Sequence, residues 1–157
     1  MSQFKKAIEE RVKLLKDAKN KAVRVGIIDK QYDDGTSVAY VGAIHEYGAS
    51  GKNIPPRPFI RPTVADKKTT WAKTGKAVLA KGGAIEDMFE AIGLQASAHI
   101  RETIANIDNP KLADATIAAR KRKYKSKKSK ATKDPEKPLV DSGYLLNSIS
   151  YEVIDKE

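Results

Sequence analysis

The residues in this chain whose types invite a catalytic reading are two histidines, a few carboxylates and one Gly-Lys turn. His45-Glu46 begins like the helical motif of zinc hydrolases, but that motif needs a second histidine four residues on, and position 49 is Ala49. His99 falls on the apolar stripe of a long predicted helix, where a lone histidine reads as a satisfied core residue rather than a ligand. Gly48-Ala49-Ser50-Gly51-Lys52 resembles half of a phosphate-binding loop. The full loop has a glycine five places before the Gly-Lys pair and a hydroxyl after it, and those places hold Glu46 and Asn53. No Gly-x-Ser-x-Gly elbow supplies a serine nucleophile, and Glu86, Asp87 and Glu90 read as solvated charge. The chain has no cysteine, which removes thiolate chemistry, disulfides and cysteine metal sites. The expectation is a protein that is not an enzyme, with no cofactor, no metal and no small-molecule substrate.

Residues suited to binding are better grouped. Positions 49–62 form a proline-punctuated arm in which Pro55, Pro56, Pro58 and Pro62 fix φ and remove donors, so the arm is expected to run extended. It carries Arg57, Phe59, Ile60 and Arg61, and a stiff segment of this kind loses little entropy on docking against a neighbour. His45, Glu46 and Tyr47 immediately precede it and are placed to position it. Pro55-x-x-Pro58 with Arg57 also fits a polyproline ligand, although inside a folded domain it reads as a structural arm. The second group is basic: Arg120, Lys121, Arg122, Lys123, Lys125, Lys127, Lys128 and Lys130, with Tyr124 as the one aromatic. Such a run can neutralise phosphates or meet an acidic protein partner.

The elements that must hold these groups follow from periodicity. Phe4, Ile8, Val12 and Leu15 make an amphipathic helix over residues 3–17, with Ser2 as its cap, whose role is to cover a sheet or a neighbour. Residues 21–29 (KAVRVGIID) read as the first strand, and a short helix is expected to open at Ser37 and run to Tyr47. A helix over residues 63–81 ends at Gly82-Gly83. The strongest stripe, Ile85, Met88, Phe89, Ile92, Ala96, His99, Thr103 and Ile107, then marks a long helix as the spine of the core. Residues 120–137 lack the apolar side chains that repay ordering and are expected to form a mobile, disordered basic loop. Asp141-Ser142 can cap a short helical turn through Tyr144, Leu145 and Leu146, and residues 148–155 alternate as a last strand that pairs with the first. The fold class expected is α+β, a small sheet covered by long helices.

Length bounds the rest. At 157 residues one domain over 1–157 is the expectation, burying roughly two thirds of its unfolded surface. No window approaches the ~18 apolar residues of a membrane span, and the first 20 residues are too charged for a signal peptide, so a soluble protein with no membrane partner is expected. The net charge of +10 is local: residues 120–133 hold nine basic residues and no acid, and without them 21 basic residues face 20 acidic ones.

Three separated segments, Ala43 to Gly48 with Ile54 to Pro62, Leu112 to Arg122, and Pro138 to Ile149, together resemble the tail-completion and neck proteins of tailed bacteriophages, the group of virion morphogenesis and minor tail proteins. The resemblance implies a structural virion protein at the neck or tail top, made in the host cytoplasm and assembled there as a homo-oligomeric ring. Connector and tail proteins would be its neighbours, and DNA would lie in the channel. It implies no catalytic residues; Arg57 and Phe59 would anchor the arm on the next subunit. The rival reading from the residues alone is a small cytosolic nucleic-acid-binding or regulatory domain that uses residues 120–133.

Overall fold

A computed structural model describes residues 3–125 and 134–156. The chain order is α1 (Gln3–Asn20), β1 (Lys21–Ile27), α2 (Val38–Tyr47), a 3-10 turn at Ser50–Lys52, α3 (Arg61–Ala80), α4 (Ile85–Asn106), α5 (Asp114–Lys125), α6 (Tyr144–Asn147) and β2 (Ile149–Asp155). The fold is α+β. The first and last strands pair antiparallel in a two-stranded sheet, from Lys21 opposite Asp155 to Ile27 opposite Ile149. A two-stranded sheet is marginal alone and needs a helix against one face.

That helix is α4. Its N-terminus is closed by Asp87, whose carboxylate accepts from the Ala84 amide at 2.8 Å. It lies across both strands and beside α3. The approach to the sheet is so close that a Cβ on Gly93 would stand 2.3 Å from Tyr151 Cδ2 and 2.9 Å from Val23 Cγ2, so only glycine fits there. The core gathers Val38, Phe59, Ile100, Ile104, Leu139, Leu145 and Ile149 around α4. The deepest positions on α4 are Ile85, Gly93, Ala96, Ser97, Ile100 and Ile104, rotated from the expected stripe toward the strands and the arm. His99 stands on the α3 side instead, where its Nδ1 accepts from Trp71 Nε1 at 2.9 Å.

The basic segment departs most from expectation. Residues 120–125 are the last turns of α5 rather than a disordered loop, because long-range acids hold them. Asp114 in the first turn and Arg122, Lys123 and Lys125 in the last also match the helix dipole. Residues 126–133, which include Lys127, Lys128 and Lys130, lie outside the described residues, as does Ser2. The proline arm is shorter than expected: Arg61 and Pro62 already belong to α3, since proline in the first helical turn loses a donor that has no partner there anyway. Asp141 does not cap α6. Gly143, at φ 76°, occupies that position, and Ser142 Oγ accepts from the Tyr144 amide at 3.3 Å.

Candidate assembly site

Ser37 opens α2 by accepting from the Tyr40 amide at 3.3 Å, and nine residues later the same helix turns Glu46 inward until it is 3 % exposed. Glu46 Oε2 accepts from the amides of Phe59 at 2.7 Å and Ile60 at 2.9 Å, while Oε1 accepts from the Arg61 amide at 2.9 Å and Arg61 Nε at 3.1 Å. Arg61 Nη2 closes the ring of contacts on the Glu46 carbonyl at 2.8 Å. These amides lead into α3 and have no intrahelical acceptor, so the carboxylate satisfies them and meets the positive end of the helix dipole. Burial pushes the Glu46 carboxyl up. The amides of Ile60, Arg61 and Phe59 and the Arg61 guanidinium together outweigh it, and hold the carboxyl below its ordinary value.

The neighbours of Glu46 act through different atoms. Tyr47 offers its ring, which lies 4.6 Å from the Arg61 guanidinium carbon. His45 offers its backbone carbonyl, which accepts from the Arg57 amide at 2.6 Å. Its ring is half-buried, and Nδ1 is buried with no hydrogen-bond partner among the described residues. Burial, and then the charges of Arg57 and Arg120, push the imidazole below its ordinary value.

The arm itself docks on its own chain. Phe59 is 0 % exposed within the core, and Arg57 is 4 % exposed with Nε and Nη2 donating to the carbonyls of Pro110 at 2.6 Å and Lys111 at 2.8 Å. The expectation that these two side chains grip the next subunit is therefore corrected: both are already engaged inside the fold. Ile60 is half-buried against the same core, and of the four arm residues Arg61 keeps the most exposure.

In the basic segment, Arg120 donates to the Lys137 carbonyl at 2.7 Å and faces Asp141 at 3.7 Å. Lys123 and Tyr124 reach the same carboxylate at 2.9 and 3.2 Å, and Lys121 pairs with Glu136 at 3.0 Å. Burial raises the Asp141 carboxyl, but Lys123, Arg120 and Tyr124 outweigh that and leave it below its ordinary value. The acids Glu136 and Asp141 were invisible to a reading of the basic run alone. Arg122 and Lys125 have no ion pair among the described residues.

Two surfaces remain open. No residue of α1 is buried, and Leu15, Ile8 and Val12 are 71, 46 and 45 % exposed along one side of it. The expected apolar face is present and lies beside β1 and α4, but none of its side chains is buried there. Second, a cleft of about 410 Å³ runs beside β1 from Arg24 to Asp29, walled by α2 and by residues 59–61. Sequence patterning gave no signal for it, because it depends on which strand edges stay unpaired.

Among the described residues no group of three or more His, Asp or Glu converges to hold a metal ion, and no helix is long and apolar enough to cross a membrane. Comparison with family models, curated proteins and solved structures finds no match to this chain.

Proposed function

We propose that this chain is a structural protein of a tailed-phage head-tail junction that acts by assembling copies of itself into a ring. The observation that supports self-assembly is α1: eighteen residues, none buried, with Ile8, Val12 and Leu15 on one open side. Burying those three would contribute about 3–5 kcal/mol per contact. The phage setting rests on the three-segment resemblance. In this reading the Glu46 clamp is internal bracing that fixes α2 to α3, and connector and tail proteins are the outer partners.

The test is sedimentation velocity on the wild type and on an Ile8→Glu/Leu15→Glu variant. The wild type is expected to sediment as an oligomer and the variant as a monomer with its thermal midpoint little changed, since exposed positions rarely alter stability by more than about 0.5 kcal/mol. A wild type that stays monomeric up to millimolar concentration would overturn the reading. A titration with duplex DNA at two salt concentrations addresses the rival: tight binding with a steep salt slope by a monomer would favour a nucleic-acid-binding domain instead.

A further inference from the structure

Among the described residues no further strand pairs with either edge of the two-stranded sheet, and its two strands carry opposite charge. β1 (KAVRVGI) holds Lys21 and Arg24 and no acid, whereas β2 (ISYEVID) holds Glu152 and Asp155 and no base. Within the chain these already pair, Lys21 Nζ with Asp155 at 3.1 Å and Arg24 Nε with Glu152 at 2.6 Å. The Lys156 amide donates to the Asn20 carbonyl at 2.7 Å, so that pair is hydrogen-bonded, and the alternation of an antiparallel ladder fixes the rest. Residues 22, 24 and 26 bond to β2, and the amides and carbonyls of Lys21, Val23, Val25 and Ile27 point the other way. By the same alternation Tyr151, Val153 and Asp155 present the outer edge of β2. The outward carbonyl of Ile149 is taken by Arg101 Nη2 at 2.5 Å.

We infer that β1 of one copy pairs antiparallel with β2 of the next, so that the sheet continues from subunit to subunit. This rests on the ring reading above and supplies it with a second contact. The cleft beside β1 is the space into which the incoming strand would settle. Joining like edges antiparallel at full overlap would set Arg24 opposite Arg24, or Glu152 opposite Glu152, and leave Lys21 or Asp155 facing an isoleucine, which is unfavourable across a ladder. Joining unlike edges in the internal register repeats both ion pairs between copies. The strand order β2-β1-β2-β1 then leaves every copy pointing the same way, related by rotation about an axis along the strands. That contact is heterologous, and it closes into a ring when the rotation divides a full turn. It also removes the exposed edges that otherwise invite uncontrolled pairing.

Hydrogen exchange on the full chain, compared below and above the concentration of assembly, tests this. The amides of Val23, Val25, Tyr151 and Val153 are expected to slow about tenfold or more on assembly, while those of Ala22 and Arg24, already bonded, change little. The absence of native cysteine allows a second measurement. Single variants Ala22→Cys and Ile154→Cys, mixed and oxidised, should give a disulfide-linked dimer that neither gives alone with the other position intact. The two residues would face each other between copies as a non-hydrogen-bonded pair, with Cα atoms about 4.5 Å apart. An oligomer whose edge amides exchange as in the monomer, with no cross-link, overturns the shared sheet and leaves the ring to α1. A chain that is monomeric at every concentration overturns both.

Discussion

At Glu46 one carboxylate meets three consecutive backbone amides, and its removal would leave them buried without acceptors. Glu46→Ala is expected to cost about 3 kcal/mol, a fall in thermal midpoint of roughly 6–12 °C by calorimetry. The same geometry sets an acid response. His45 is held below its ordinary 6.5 in the fold, so the unfolded chain binds its proton first; the stability it contributes is complete above 6.5 and declines as pH falls through its lowered folded value. Glu46, held below 4.5, adds a second loss as pH falls through its own lowered value. Urea midpoints measured from pH 8 to 3 should show both, and His45→Phe should flatten the first alone. His45, Glu46 and Tyr47 were legible as the residues that position the arm. Their atoms were not: the sequence does not say that Glu46 works by its carboxylate, His45 by its carbonyl and Tyr47 by its ring. Phe59 and Arg57 were misplaced for a related reason, since a stiff apolar segment fits a neighbour's surface and its own core equally well.

Among the elements, α5 shows why composition misled. The segment from Arg120 onward has almost no apolar side chains, and the order it has comes from Glu136, Lys137 and Asp141, which are 15–18 residues away in sequence. Asp141→Asn is expected to loosen the last turns of α5 at a cost of about 1 kcal/mol, the scale of a partly exposed ion pair. Limited trypsin digestion should read this as faster cleavage between residues 120 and 125, and equal rates would count against the ion-pair account. The strands, α2 with its Ser37 cap and the Gly82-Gly83 break were legible because each follows from local chemistry. The rotation of the α4 stripe was not, since Gly93 and Ser97 look unremarkable until the sheet lies on them.

For the whole molecule, the α+β class could be read from the alternation of the first and last strands and the long central stripe. What could not be read is which apolar faces the fold would leave uncovered. The α1 stripe looked like that of any helix that packs on its own core, whereas in the fold Ile8, Val12 and Leu15 stay 46, 45 and 71 % exposed. Self-assembly is the central claim, and the most direct measurement of it is the native mass of the wild-type protein across concentration. The prediction is a single closed species at a fixed multiple of the 17.2 kDa chain, formed without DNA or any other protein. A mass of one chain throughout would contradict it.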